Sequence, residues 1–291
     1  MAVDLHTHTT YSDGTLTPQQ LVIHACERKL TALAVTDHDI TSGNDEAMYY
    51  GKKYGIDIVP GVELSIDCTL PNSGHMHILG LLIDFNDDIL NRTLDFLRAE
   101  REKRNHKIAA ILAGMNMSIS VAEIEQEAGE GSAGRPHIAR LIVQKGYATS
   151  LQEAFDRFLK KGAPAYVKKV KLDEQEAIKL IHDANGLSIL AHPSTLQYDA
   201  KQQLADKILQ LKYLGLDGIE VYSSFHRQEL TTWLEEFAQQ HDMVISGGSD
   251  FHGTNKQEIQ IGSGKGNLKI PDRVYQQLQN YKNHKKEKNG D

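Results

Sequence analysis

The sequence predicts an α/β protein: seven strands forming a closed or nearly closed barrel, with an all-helical insertion between the fourth and fifth strands. Three observations carry that prediction. Seven apolar runs of strand type recur along the chain, most of them separated by helix-length segments, and such alternation marks parallel βα units. The alternation stops between about Phe85 and Val167, where the patterns are helical only. The ends of the runs repeatedly carry His, Asp or Glu, and the carboxyl ends of strands are where α/β folds gather their chemistry.

Taken in order, the strand-like runs are Val3 to His6, Leu30 to Thr36, Ile56 to Leu64, Met76 to Asp84, Leu187 to Ala191, Gly215 to Val221 and Met243 to Gly247. Thr17 can cap a first helix, Pro18 to Arg28, whose proline sits where a helix has no use for the missing amide hydrogen. Further helices are expected over Gly43 to Tyr54, Asp173 to Ala184, Ala200 to Leu214 and Phe225 to Gln240. In the insertion, Leu94, Leu97, Ile108, Ile111 and Leu112 recur at three- and four-residue spacings and predict a long helix, Asn91 to Ala113. Val121 to Ala128, Pro136 to Lys145 and Leu151 to Leu159 read as shorter helices, with Gly129, Gly131 and Gly134 making a flexible turn. The expected organisation is a discontinuous barrel, residues 1–84 and 168–291, carrying a helical insertion domain, residues 85–167. The Lys-rich end, Lys282 to Lys288, reads as a solvated, frayed tail.

Composition narrows the class. A chain of 291 residues with 40% hydrophobic and 24% charged residues buries a full core as a soluble globular protein. Cys26 and Cys68 stand far apart without metal-binding spacing, which points to a reducing compartment. No signal-peptide pattern opens the chain and no apolar stretch is long enough for a membrane span, so a cytoplasmic protein is expected. The net charge of −7 argues against duplex DNA as a partner. It leaves room for a small anionic substrate in a locally positive cleft. No obligate protein partner is evident.

The stretch DLHTHTTYSDG, from Asp4 to Gly14, organises the rest. His6 and His8 are two apart, so on an extended strand both imidazoles share a face. Asp13 adds a carboxylate on the following turn. The pair alone is a weak sign, since 14 histidines in 291 residues give about 0.7 His-x-His pairs by chance. Recurrence at later strands makes it a strong one. The second run ends in TDHD (Thr36 to Asp39), the third in PGVE (Pro60 to Glu63), and the fourth holds GHMHILG (Gly74 to Gly80). The fifth ends in AHP (Ala191 to Pro193), the sixth in IEVY (Ile219 to Tyr222) and the seventh in GGSDFHG (Gly247 to Gly253). Imidazoles and carboxylates converging at one end of a barrel suit divalent transition metals.

The motif set, in this order, resembles the PHP (polymerase and histidinol phosphatase) superfamily of metal-dependent phosphoesterases, over nearly the whole chain. The resemblance implies a distorted (β/α)7 TIM-like barrel holding two or three divalent ions, of Mn, Fe or Zn. Carried over residue by residue, it assigns His6, His8, Glu63 and Asp250 to a first ion. Glu63 then bridges to a second ion with His77 and His192, and Asp13, His38 and His252 hold a third. His77 fits the pattern ahead of His75 because it directly precedes Ile78-Leu79-Gly80. Asp13, His38, Glu63 and Asp250 are the expected catalytic members, and Asp37 and Asp39 are expected to orient imidazoles. Nine ligands with three carboxylates leave the loaded site positive, which favours a phosphate oxyanion.

The implied reaction is phosphoester hydrolysis by metal-bound hydroxide. Within the superfamily, GRPHIA (Gly134 to Ala139), KGAPAYV (Lys161 to Val167) and EVYSS (Glu220 to Ser224) resemble the branch acting on nucleotides. Members of that branch act on nucleoside 3′,5′-bisphosphates, nucleoside monophosphates or short 5′-phosphorylated RNA in the 5′→3′ direction. Arg135, at a helix start, is expected to clamp a second phosphate, with His226 and Ser224 as further substrate contacts. Arg98, Arg101 and Arg104 step along the long helix and either add to the clamp or form a solvated face. The alternatives are a histidinol-phosphate phosphatase and a non-catalytic binding module.

Overall fold

The computed structural model describes residues 2–68, 75–129, 131 and 133–289, with the backbone alone at 288 and 289. Gly74 and Ser132, which border the sequence motifs, lie outside the described residues.

The strands are β1 (Ala2–Asp4), β2 (Leu30–Val35), β3 (Asp57–Ile66), β4 (Met76–Leu81), β5 (Leu187–Leu190), β6 (Gly218–Ser223) and β7 (Val244–Gly248), and they pair in that order. The seam between β1 and β7 is crossed by hydrogen bonds: Leu5 N–H to Gly247 O at 3.0 Å, Asp250 N–H to His6 O at 2.9 Å and His8 N–H to Phe251 O at 2.9 Å. The seven strands therefore form a nearly closed barrel. β1, β2 and β3 run parallel, as do β5, β6 and β7.

β4 departs from the parallel pattern expected of the chain and runs against both β3 and β5. The reason is connection length. A parallel crossover needs a dozen or more residues, usually with a helix, whereas only residues 67–75 separate β3 from β4. Reversal has a functional result. It brings the beginning of β4, with His77, to the end of the barrel where its neighbours finish.

Helices α1 (Pro18–Glu27), α2 (Gly43–Tyr54), α7 (Glu174–Asp183), α8 (Lys201–Tyr213) and α9 (Gln228–Gln240) belong to the βα units. At α1 the Thr17 hydroxyl accepts from Gln20 N–H while the Gln20 side chain accepts from Thr17 N–H, a reciprocal cap. Between β4 and β5 lie α3 (Asp88–Gly114), α4 (Val121–Ala128), α5 (Arg135–Gln144) and α6 (Leu151–Ala154), the last running into one π turn, Phe155–Leu159. These helices bury an apolar cluster of their own, with Ile108, Leu112, Ile124, Ile138, Ile142 and Leu159 in it.

The barrel strands share a cluster of Val3, Leu5, Ala32, Val59, Leu79 and Ile189 with Val274 and Leu278 of the last helix, α10 (Asp272–Asn289). That helix replaces the frayed tail expected from the lysines. Lys282 donates to Leu82 O, and Lys285 donates to Asp217 Oδ1 at 2.6 Å. Periodic Val274 and Leu278 anchor the helix, and the lysines satisfy acceptors on the barrel that the sequence alone does not reveal. Among the described residues no helix is long and apolar enough to cross a membrane.

Candidate metal centre

Six of the seven strands deliver one or two side chains to a single spot. His6 and His8 flank Thr7, which bridges Phe251 beyond β7. His38 follows β2 and bridges Glu63 of β3. His77 comes from the start of β4, His192 from the turn after β5, and Asp250 and His252 from the loop after β7. Asp39, His192 and Asp250 have positive φ values of 54°, 26° and 58°. A non-glycine residue held there costs on the order of 1–3 kcal/mol, and such strain gathers at functional sites.

Glu63 is the hub. It is wholly buried, and five imidazoles face it: His6 Nε2 at 3.3 Å, His8 Nε2 at 3.2 Å, His38 Nδ1 at 3.0 Å, His77 Nδ1 at 2.7 Å and His192 Nε2 at 3.0 Å. Asp250 Oδ1 stands 3.2 Å from His8 Nε2 and 3.5 Å from His6 Nε2. Asp13 Oδ1 stands 3.2 Å from His252 Nε2 and 3.9 Å from His38 Nε2. Three donor groups emerge: His6, His8, Glu63 and Asp250; His8, Asp13, His38 and His252; and His38, Glu63 and His77. All nine expected ligands thus come together. His8 and His38 each reach two groups, and His192 meets the third through Glu63. His75 stands outside all three groups.

The fit to metal ions can be tested on the unpaired atoms. His6 Nε2, His8 Nε2, His38 Nδ1 and Glu63 Oε2 are buried without a hydrogen-bond partner. Orphaned buried polar atoms are costly, and these four point at one another. Nitrogen and oxygen donors so placed fit divalent cations.

Charge tells the same story. Burial opposes charge on every group here. At His6 the carboxylates of Glu63, Glu220 and Asp250 outweigh it and hold the imidazole well above its ordinary range. His8 rises to about 9, against burial, through Asp250 and Glu63. Glu63 is held well below the usual carboxylate range despite burial, by His38, His77 and His6. Asp250 is lowered likewise by Lys256, His252 and His6, and Asp13 by His252 and His38. Burial, reinforced by His38 and His192, pushes His77 down to about 3 in spite of Glu63. The positive fields of His6 and His8 act on Glu63 and Asp250 with the sign that a divalent cation would have.

A second layer orients the donors. Glu220 Oε1 meets His6 Nδ1 at 3.0 Å while Oε2 accepts from His192 N–H at 2.6 Å. Thr195 Oγ1 lies 2.8 Å from His192 Nδ1, leaving Nε2 to face Glu63. Lys256 Nζ donates to Asp250 Oδ2 at 2.5 Å. Neither Glu220 nor Lys256 was among the expected site residues, although Glu220 sits at a strand end and Lys256 follows the last motif. Asp37 and Asp39 do not orient imidazoles directly. Asp37 accepts from Thr9 N–H, Thr9 Oγ1 and Ser12 Oγ and so braces the first loop. Asp39 pairs with Arg101 and with Lys169.

The expected substrate contacts lie around this centre. Arg135 begins α5, donates from Nη1 to Leu159 O at 3.1 Å and lies 5.8 Å above the Tyr166 ring. His226 is buried, with Nδ1 2.8 Å from Val221 O and Nε2 without a partner. Ser224 gives its hydroxyl hydrogen to Ser249 O at 2.6 Å, which joins the loops after β6 and β7. Arg98 pairs with Asp95 on the exposed side of α3.

Residues 4–246 match the PHP domain family. The chain belongs to that family. A relative of the PHP chain from Haemophilus influenzae, named 5′-3′ exoribonuclease, is 37% identical over 86% of this chain and 89% of its own. A Chromobacterium violaceum protein named 3′,5′-nucleoside bisphosphate phosphatase is 32% identical over 89% of this chain and 90% of its own. Among solved structures, a protein of Bifidobacterium adolescentis described as a candidate metal-dependent phosphoesterase superposes with a TM-score of 0.81 at 26% identity. That superposition covers 95% of the PHP chain and 94% of its neighbour. Phosphoester hydrolysis recurs in these names, and divalent metals accord with the donor groups.

Proposed function

We propose that this PHP protein is a metal-dependent phosphoesterase of nucleotides. Its substrates in this reading are nucleoside 3′,5′-bisphosphates or monophosphates and short 5′-phosphorylated RNA, degraded 5′→3′. The observation that carries the reading is Glu63, buried and faced by five imidazoles, three of which, His6, His8 and His38, turn an unpartnered nitrogen toward it.

His6, His8, Glu63 and Asp250 would hold one ion, His77 and His192 would share Glu63 for a second, and Asp13, His38 and His252 would hold a third. Bound Mn, Fe or Zn would supply Lewis acidity toward the phosphoryl oxygens and a lowered pKa for an attacking water. The chain's own groups prepare the site for that chemistry. Glu220 and Thr195 fix which nitrogen of His6 and His192 faces inward. Lys256 restrains Asp250. The His226 Nδ1 hydrogen is committed to Val221 O, so the neutral ring has no proton on Nε2 to give to a leaving oxygen. Its place is to support the loop after β6. Arg135 is the clamp for a second phosphate, with a guanidinium fork suited to two oxygens.

The test is phosphate release by Mn-loaded protein from adenosine 3′,5′-bisphosphate, AMP, histidinol phosphate and a 5′-phosphorylated trinucleotide, beside Asp13→Ala and Arg135→Ala. The expected result is preference for the nucleotides, an inactive Asp13→Ala and an Arg135→Ala selectively poor on doubly phosphorylated substrates. Preference for histidinol phosphate would overturn the substrate assignment. No turnover with Mn, Fe or Zn would leave a binding module.

A further inference from the structure

On the side of β5 to β7, the rim of the metal centre carries an aromatic ring with two cations beside it. Phe225 follows β6 and is half-buried, packed on the apolar cluster that holds Phe251, Ile259 and Ile261. Its ring meets that of His192 edge-on, with 6.2 Å between centroids and an angle of 84°. Lys256 Nζ lies 5.4 Å and Lys265 Nζ 5.6 Å from the centre of the same ring. Lys256 is tied down by Asp250. Lys265 faces Glu258 at 3.8 Å with both side chains exposed, and a pair of that kind contributes little. The backbone places Lys265. Gln260 and Gly264 exchange hydrogen bonds of 2.8 Å in each direction and close a short hairpin. Gly264 has a φ of 57°, and a Cβ there would stand 2.6 Å from Ser224 Oγ. Glycine is thus what lets the hairpin close on the residue next to Phe225.

We propose that Phe225, with Lys265 beside it, is a platform for the nucleotide downstream of the scissile phosphate: its base stacks on the ring, and the phosphodiester that follows meets the Lys265 ammonium. The proposal deepens the phosphoesterase reading and rests on it. Placement supports it. The helical insertion meets the ends of β2 and β3, through Arg101 on Asp39, and in that reading its Arg135 takes a phosphate. In the ring of seven strands β6 stands between β5 and β7, away from β2 and β3. An oligonucleotide with one phosphate at Arg135 and the next at Glu63 therefore carries its following nucleotide past His192, and Phe225 is the ring beside His192. Aromatic rings flanked by cations hold single-stranded nucleic acid without reading its sequence, because every base has a face to stack. Packing accounts for the buried part of Phe225. It gives no reason for a half-exposed ring edge-on to His192 with two ammonium groups next to it.

The test gives Mn-loaded protein three substrates: adenosine 3′,5′-bisphosphate, a 5′-phosphorylated trinucleotide, and the same trinucleotide abasic at its second position. Wild type is compared with Phe225→Leu, Phe225→Trp and Lys265→Gln, and kcat and KM are read separately. Removing the second base should cost wild type about 5- to 150-fold in kcat/KM, mostly through KM, the range for one base–aromatic stack. Phe225→Leu should lower the ratio of trinucleotide to bisphosphate kcat/KM by a similar factor and become indifferent to the missing base, while Phe225→Trp keeps both the ratio and the sensitivity. Lys265→Gln should make KM for the trinucleotide less dependent on salt. Tyr213→Ala, which removes an aromatic that is 91% exposed elsewhere on the surface, should keep the ratio. A second readout needs no turnover: 2-aminopurine at the second position of a phosphorothioate trinucleotide should be quenched by wild type and not by Phe225→Leu. Thermal melting identifies a variant that fails to fold, and Phe225→Trp and Lys265→Gln then carry the comparison. Equal use of the intact and abasic trinucleotides by wild type, equal losses on trinucleotide and bisphosphate in Phe225→Leu, or turnover of the bisphosphate alone would overturn the platform. No hydrolysis of any phosphoester by wild type would overturn the phosphoesterase reading instead, and the quenching would then judge the platform.

Discussion

His6 and Glu220 meet at 3.0 Å, Nδ1 to Oε1, with both side chains wholly buried. Because the carboxylate occupies Nδ1, the other ring nitrogen is directed at Glu63 and Asp250. The same Glu220 holds the backbone N–H of His192, so one side chain orients donors from two strands. Replacing Glu220 with Gln keeps the shape and removes an acceptor. The expected result is a 10- to 100-fold weaker affinity for divalent metal with the barrel intact. Chelator competition and circular dichroism check the two halves of that statement.

Metal loading should stabilise the fold by mass action. At free metal about 100-fold above its dissociation constant the gain is about 2.7 kcal/mol. The melting temperature should rise on adding Mn, fall back with a chelator, and respond far less in Glu63→Gln. A Glu63→Gln protein with the wild-type metal response would sink the assignment of Glu63 as the hub.

Gly248 tests how tightly the seam is built. A Cβ at this position would lie 2.1 Å from His6 Cβ and 2.5 Å from His6 N, and backbone cannot yield as a flexible side chain does. Gly248→Ala should destabilise the protein by about 3 kcal/mol and lower metal occupancy by displacing His6. Urea unfolding and metal analysis read the two effects.

Acid should loosen the far end of the barrel through Asp217. Its carboxyl is held below the usual range, against burial, by His182 and Lys285. A folded-state pKa below the unfolded value of about 3.9 means stability that is complete above roughly pH 4 and is lost as pH falls further. Asp217→Asn should therefore melt lower than wild type at pH 7 and lose less stability between pH 5 and pH 2. Parallel acid limbs in the two proteins would refute the assignment.

The side chains that converge around Glu63 were readable from sequence because they are rare types set at strand ends: His6 and His8 by spacing, His38, Glu63, His192, Asp250 and His252 by position near the ends of apolar runs. The direction of β4 was harder to read, since alternation specifies a strand and its faces but not its polarity. Only the short connection of residues 67–75 hinted at it. Partners of the second layer, such as Lys256 on Asp250 or Lys169 on Asp39, left no periodic trace. They depend on how distant segments meet. The C-terminal helix was obscured because lysines that look solvated serve buried acceptors at Leu82 and Asp217.

The reversal of β4 also fixes where α3 must begin. The chain leaves β4 at the end of the barrel away from the metal centre, and α3 carries it back with Leu90 and Leu94 packed on the barrel core and Ile108 and Leu112 in the helical cluster. Its 27 residues span about 40 Å at 1.5 Å each, so the helix is a measuring rod with Arg101 and Arg104 as its graduations. Adding one residue before Arg101 would turn both arginines by about 100° and swing Arg101 off Asp39. A change in the length of this rod would therefore move Arg101 and Arg104 while leaving the side chains gathered around Glu63 where they are.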